Sequence, residues 1–548
     1  MESNPPPAAS LFVLLRNAAL LIGLAVGLGG AVWVLGMPQM ASRPLAAVDP
    51  EVKNAAKAVD AAFEADWAAK GLTPVAKADS LTLARRLSLA LTGSIPSLEE
   101  LRAAEAVREG DFASLWLERL LSDRRSSDYL AERLTRVLVG TENGPFLIYR
   151  RRRLVEWLSE ALMKNRPYDQ IVRELITANG MWTTNPAVNF ISVTNENKKG
   201  PDEVKLAARV SRAFLATRID CVQCHDGKLG SAWKQTDFHQ LAAFFGQAGF
   251  ALNGLRDDPK SRYQNRYLGE TKEHAIAAQV PWRPDLLPQK GSPRQQLATW
   301  ITAGENHAFS RAIVNRMWAL LLNRPLIMPV DDISHTGPWP PGLEVLAQDF
   351  AAHGYDLRRL IRVIASTRVF QMRSDSGDPE HPVTALAEQS WAAFPVTRLR
   401  PEQMAGSVIQ AASLTTLDAD THVLFRLKRD ADIANFVKRY GDTGEDDFTD
   451  GGGTIPQRLL LMNGNMVTDN VRDNPLLNAP SRIRLLAPDT RRAVEAAFLA
   501  VFTRRPTAAE AAHFESLLAA AAGAQVRDNI MSDLFWTLMN ATEFSWNH

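Results

Sequence analysis

The sequence predicts a mostly α-helical protein: an N-terminal transmembrane helix, then two helical globular domains with minor β-structure and an irregular linker between them. Three observations carry that expectation. An uncharged apolar run lies near the amino terminus, between Arg16 and Arg43. Apolar residues recur at helical spacing through most of the remaining chain, repeatedly bracketed by capping residues. A polar, proline-bearing stretch over 249–291 interrupts that periodicity.

The apolar run, Ala18 to Met37, is long enough as a helix to cross a hydrocarbon core of about 30 Å. Pro5, Pro6 and Pro7 precede it and Pro38 closes it. A cleaved secretory signal is the main rival, although its apolar region would be about 7–15 residues and no clean cleavage site follows beyond Ala46-Ala47. A buried helix of a soluble protein is the third reading. Arg16 and Arg43 flank the run on opposite sides, so loop charge does not orient it. Residues 1–45 are therefore expected to anchor the chain to the inner membrane, or export it, and to place the rest in the periplasm or at the cell surface.

Beyond the anchor, Glu51 to Lys70 reads as a helix ending at Gly71, and Asp79-Ser80 opens another that stops at Gly93. Ser97 with Glu100, and Thr507 with Glu510, have capping-box spacing. Further helices are expected at Phe112–Leu121, Tyr129–Val139, Leu154–Met163, Tyr168–Thr177 and Glu203–Thr217. After the linker they resume at Gln295, Arg311–Leu322, Glu344–Ala352 and Leu357–Ser366, with a last one at Asn529–Asn540. His422–Lys428 alternates apolar and polar residues and is one of the few strand candidates. The domains expected are thus 51–248 and 292–548, joined by 249–291.

With 46% apolar and 22% charged residues among 548, the chain can bury a large core and is not disordered. Its 62 basic and 61 acidic residues leave a net charge of +1, so no whole-chain field draws it to nucleic acid. Two cysteines exclude a disulfide-built scaffold.

Those two cysteines are the most informative residues. Cys221-Val-Gln-Cys224-His225 has the c-type haem attachment pattern. Two thiols three residues apart can reach the vinyl groups on one porphyrin edge, and the next imidazole can ligate the iron. The same spacing also serves a tight disulfide or redox dithiol, half of a zinc site, or unused core cysteines. For a sixth haem ligand the candidates are His239 and Met181, each with a plainer reading as a polar-face histidine and a packing methionine. An open iron position is the remaining choice.

Other constellations have structural explanations beside functional ones. Arg150 to Arg153 reads as a solvated helix start or a partner for haem propionates. Asp331, Asp332 and His335 read as a capped turn or an acid/base cluster. Asp442, Glu445, Asp446, Asp447 and Asp450 crowd a Gly-rich loop without the spacing of a twelve-residue calcium loop. No nucleophile elbow, phosphate-binding loop or His-Glu-x-x-His helix is present, so no catalytic residue is assigned.

Several motifs resemble a known family. Gly71-Leu-Thr-Pro74, Asp79 through Arg85-Arg86-Leu87, Leu91-Thr-Gly93-x-Ile-Pro96 and Arg166-Pro-Tyr-Asp-Gln170 resemble the planctomycete-type cytochrome c domain. So do Cys221-x-x-Cys-His-Asp226 and Leu241-Ala-Ala-Phe-Phe245. Downstream, Phe309 to Trp318, Pro329-Val-Asp-Asp332, His353-Gly-Tyr-Asp356, Thr454-Ile-Pro-Gln457, Arg505-Pro-Thr507 and Asn540-x-x-Glu-Phe544 resemble its usual companion, the planctomycete surface domain. The resemblance spans 55–248 and 292–548. It implies an exported bacterial protein of two domains without established activity. It also implies one covalent haem c, with Cys221 and Cys224 as thioether positions and His225 as proximal iron ligand. Gly227 stands where many relatives carry a second histidine.

The leading expectation is an exported, membrane-anchored c-type cytochrome-like protein in redox or electron-transfer work with a partner protein. The alternatives are a haem-dependent oxidoreductase with an open iron site, and a non-haem cell-surface interaction module whose cysteine pair is a structural disulfide.

Overall fold

The computed structural model describes residues 49–105, 112–141, 149–195, 200–227, 233–267, 270–418, 421–441, 448, 454–472 and 478–548. The expected N-terminal anchor, and the acidic loop positions Asp442, Glu445, Asp446, Asp447 and Asp450, lie outside the described residues. The expected fold class needs correcting on this point: among the described residues no helix is long and apolar enough to cross a membrane. The rest of the chain is mostly helical with minor β-structure.

Local chemistry explains the helices. Pro50–Lys70 begins where the Asp49 carboxylate accepts from the Glu51 amide and ends at Gly71 in the left-handed region. Its Val52, Ala56, Val59, Phe63 and Trp67 form one buried stripe. Ser80–Thr92 starts at Asp79, which accepts from Leu81 and Thr82, and stops at left-handed Gly93. Both capping boxes close: Ser97 with Glu100 at 2.9 and 3.0 Å, and Thr507 with Glu510 at 2.7 and 3.3 Å.

Residues His422–Lys428 correct the strand expectation, since they lie at the start of the helix Val423–Tyr440. Seven alternating residues are outweighed by the longer window, in which Phe436 and Tyr440 are buried one turn apart and Lys428 pairs with Asp432.

The stretch 249–291 is irregular but not empty. Ala248–Ala251 (β1) pairs antiparallel with Gly254–Asp257 (β2), and Gln264–Asn265 (β3) with His274–Ala275 (β4). A third short ladder joins Thr397–Arg398 (β5) to Trp546–Asn547 (β6).

The two expected globular regions, 51–248 and 292–548, pack together. Val48–His548 forms one compact unit. Its larger core runs from Val52 through Phe394 and includes Leu499, so it draws on both sides of the 249–291 stretch. The second core gathers Leu399 to Phe544 and takes Leu89 and Ile95 from the first third of the chain. Polar ties cross the same seam. Trp67 Nε1 donates to the Ser390 carbonyl at 2.8 Å. Arg85 donates to the carbonyls of Val501 and Phe544. Arg86 donates to those of Phe370, Met372 and His548, with its guanidinium 3.6 Å from the Phe394 ring centroid.

Candidate functional site

The helix Glu203–Leu215 delivers the chain to the cysteine pair. It ends at Ala216, held at φ 44°, where the backbone turns sharply. Thr217 Oγ1 then donates to the Leu215 carbonyl, and Arg218 clamps Asp331 Oδ1 at 2.7 and 2.8 Å. Ile219 and Val222 are fully buried, so the intervening one-turn 3-10 helix Asp220–Gln223 is pinned to the core by its apolar side. The opposite side carries Cys221 and Gln223, followed by Cys224, His225 and Asp226, all exposed.

The helix Gln235–Ala242 braces this turn. Gln235 Nε2 donates to the Gln223 carbonyl at 2.9 Å, and the Gln235 amide donates to Asp226 Oδ1 at 2.9 Å. His239, buried beneath, has Nε2 3.0 Å from the same Gln223 carbonyl and Nδ1 2.8 Å from the Tyr263 hydroxyl. A carbonyl only accepts, so Nε2 carries the proton and Nδ1 accepts from Tyr263. Burial pushes the His239 pKa below its ordinary value, which keeps that neutral tautomer.

This arrangement does not fit a covalent haem. A porphyrin needs a broad apolar wall, whereas the described side chains at 223–226, 234 and 236 are exposed and polar. Among the described residues no group of three or more His, Cys, Asp or Glu is placed to hold a metal ion. Cys221 and Cys224 are exposed free thiols, and the His225 ring is exposed with Nδ1 on the Asp226 carbonyl at 2.8 Å. Of the distal candidates, His239 has both ring nitrogens engaged. Met181 is 42% exposed in a turn whose carbonyl it lends to Thr184 and Asn185. The haem c expected at Cys221, Cys224 and His225, with His225 as metal ligand, is corrected accordingly, and the cytochrome reading goes with it.

The remaining sequence candidates resolve into structural partners. Arg151 makes a fork with Glu132, while Arg152 and Arg153 pair with Glu156 on their own helix. Asp331 is committed to Arg218, and Asp332 is exposed. His335 sits in an aromatic box, its ring centroid 4.2 Å from Trp282 and 5.4 Å from Trp233. Its Nε2 lies 3.0 Å from Thr217 Oγ1. Because that hydroxyl gives its one proton to Leu215, the imidazole is the donor. Burial, with Arg311 nearby, lowers the His335 pKa to about 4, so the ring is a neutral packing element at pH 7 rather than half of an acid/base pair.

Sequence reasoning missed two things here. One is the His239–Tyr263 brace. The other is a row of cations on the part-exposed side of the helix Glu203–Leu215, where Lys205, Arg209 and Arg212 recur at i, i+4 and i+7. That spacing was visible in the sequence. What it faces was not.

Fold and site together define a helical protein whose larger core draws on both sides of the 249–291 stretch and which displays an adjacent thiol pair. The chain carries both members of the planctomycete-type domain pair: residues 58–249 match PSCyt2, a protein of unknown function (DUF1549), and residues 293–439 match PSD1, a protein of unknown function (DUF1553). The second match ends before the residues 454–548 that also resembled the companion domain. No curated protein and no solved structure matches the chain.

Proposed function

We propose that this protein is an extracytoplasmic, surface-type binding module in which Cys221 and Cys224 form a reversible disulfide exchanged with a partner protein. The matched domain pair is consistent with a location outside the cytoplasm. The observation that carries the proposal is the display of both thiols on one core-pinned turn. Side chains at i and i+3 of a 3-10 turn eclipse, and three steps of roughly 2.0 Å put the Cα atoms about 6 Å apart. A disulfide spans Cα separations of about 4.4–6.8 Å. The chain has two cysteines, so each is the other's sole intramolecular partner.

The size of the loop argues for reversibility. Closing a four-residue loop stabilises the fold by about 2 kcal/mol in the chain-entropy picture, against about 4.7 kcal/mol for a hundred-residue one. The pair is thus a weak staple, open to exchange. In the exchange one thiolate attacks a partner disulfide to form a mixed disulfide. The second thiolate then displaces the partner, which leaves as a dithiol while Cys221 and Cys224 are left bonded.

The test is alkylation with and without reductant, read by mass spectrometry, on protein exported to an oxidising compartment and purified without thiols. The native chain should resist alkylation until reduced, then take two labels. Two thiols that label fully without reductant would sink the proposal.

A further inference from the structure

The peptide that joins Gln223 to Cys224 is the last link between the two sulfurs, and two donors hold its oxygen. Gln235 Nε2 lies 2.9 Å and His239 Nε2 3.0 Å from the Gln223 carbonyl. That carbonyl ends a one-turn helix, where no intrahelical partner remains for it, and both of its lone pairs are filled. Gln235 and His239 stand at i and i+4 on the helix Gln235–Ala242, so one face of that helix supplies both donors. The Gln235 amide also holds the Asp226 carboxylate at 2.9 Å. Cys224 is thus strung between two anchored points, while buried Ile219 and Val222 fix the turn from the core side.

His239 is itself locked from behind. The Tyr263 hydroxyl donates to Nδ1 at 2.8 Å, which leaves Nε2 as the protonated nitrogen, aimed at Gln223. Tyr263 is buried, and burial raises its phenol above the ordinary range, so the hydroxyl stays a donor. Gly246 lets the Tyr263 backbone approach, since a Cβ at 246 would lie 2.5 Å from its amide nitrogen. Tyr267 closes the edge of the imidazole, its ring centroid 5.6 Å away. Among the four buried residues of this helix, Phe238, His239, Leu241 and Ala242, only His239 is polar, and its proton is spent on the thiol turn.

We propose that His239, held by Tyr263 and joined by Gln235, is the positioning residue of the Cys221–Cys224 exchange, keeping the dithiol turn in the shape that the disulfide requires. The inference rests on the reversible disulfide proposed above. When the pair closes against oxidised glutathione it gives up two electrons and two protons. The glutathione S–S bond becomes two thiols as the Cys221–Cys224 bond forms. A turn already fixed in the dithiol loses little conformational entropy on closure. A turn released at Gln223 loses more, so its disulfide is less stable.

The test is a redox titration of the full chain across ratios of reduced to oxidised glutathione, quenched by acid, alkylated and counted by mass spectrometry. His239→Leu should lower the equilibrium constant for disulfide formation about tenfold, which is about 30 mV for this two-electron couple. His239→Gln, whose amide offers a donor in place of Nε2–H, should keep the native constant. Gln235→Met, which withdraws the other donor from a half-buried position, should lower it in the same direction. If His239→Leu does not fold by circular dichroism, Gln235→Met decides. A folded His239→Leu or, failing that, Gln235→Met chain with the native constant or a higher one would overturn the inference and leave the reversible disulfide standing. So would a His239→Gln chain as impaired as His239→Leu, since packing and not the hydrogen bond would then be at work. A native chain that forms no disulfide at any ratio would overturn both.

Discussion

His335 links the two matched stretches through a pH-dependent contribution whose size follows from its surroundings. Its Nε2–H donates to Thr217 Oγ1, and its ring packs on Trp282 in a box that Trp233 completes. Burial and the Arg311 guanidinium lower its pKa from 6.5 to about 4. The sign follows directly. Below pH 6.5 the unfolded chain takes up a proton that the folded chain refuses until about pH 4, so stability falls as pH falls through that window. At about 1.4 kcal/mol per pH unit, the loss totals about 3 kcal/mol by pH 4 and levels off below it. A His335→Phe variant keeps a ring against Trp282 and gives up one hydrogen bond, about 1 kcal/mol. It should therefore be less stable than the native chain by about 1 kcal/mol at pH 7.5, equal near pH 6, and more stable by about 2 kcal/mol at pH 4. Urea unfolding of both chains at four pH values between 7.5 and 4 measures that difference. His239 and His548, also lowered by burial, are common to both chains and cancel. A native-minus-variant difference that stays constant across the range would refute the reasoning.

Two further substitutions probe the frame around the site. Arg294 is 1% exposed and donates to Asp257, Asn179 and the carbonyls of Ile176 and Ala178. Arg294→Met keeps the volume but strands those acceptors, and should lower unfolding free energy by about 3–5 kcal/mol in urea titration. Gly254 has φ +98°, and a Cβ there would lie 2.2 Å from the Gly180 carbonyl oxygen. Gly254→Ala should cost about 2 kcal/mol or more and speed amide exchange at the bridge between Gly180 and Leu255, read by deuterium labelling.

Helix existence was legible because its signals are local. Asp79 and Gly93, or Ser97 and Glu100, declare a start or stop within a few residues, and the structure honours them. Burial of Arg85 and Arg86 was not legible, since their acceptors lie hundreds of residues away at Val501, Phe544, Phe370, Met372 and His548. His422–Lys428 misled because a seven-residue alternation also fits nearly two turns of helix. The cysteine pair was legible as a motif, but a motif states spacing and not surroundings. What decides against haem is the polar exposed face and the engagement of His239 with Gln223 and Tyr263. Those are tertiary facts. Tyr263 comes from the stretch that sequence reading set aside as a linker, which also supplies Asp257 to Arg294 and Trp282 to His335.

That linker bears on why the two matched stretches travel together. Were they independent domains, each would own a core and meet its neighbour through a modest polar interface. Here the helix Pro50–Lys70 packs on Leu343–Ala352 and Leu357–Ser366, and Gly342 leaves room for Phe63 and Val59, with a Cβ there only 2.9 Å from Phe63. The helix Glu203–Leu215 packs on His307–Leu322 in the same way. The His335 box draws residues from each side of that seam. Separating the stretches would expose the larger core and dismantle that box. The two stretches therefore form one packed unit, in which the second sets His335 against Thr217 and Asp331 against Arg218, just before the turn that carries the thiols.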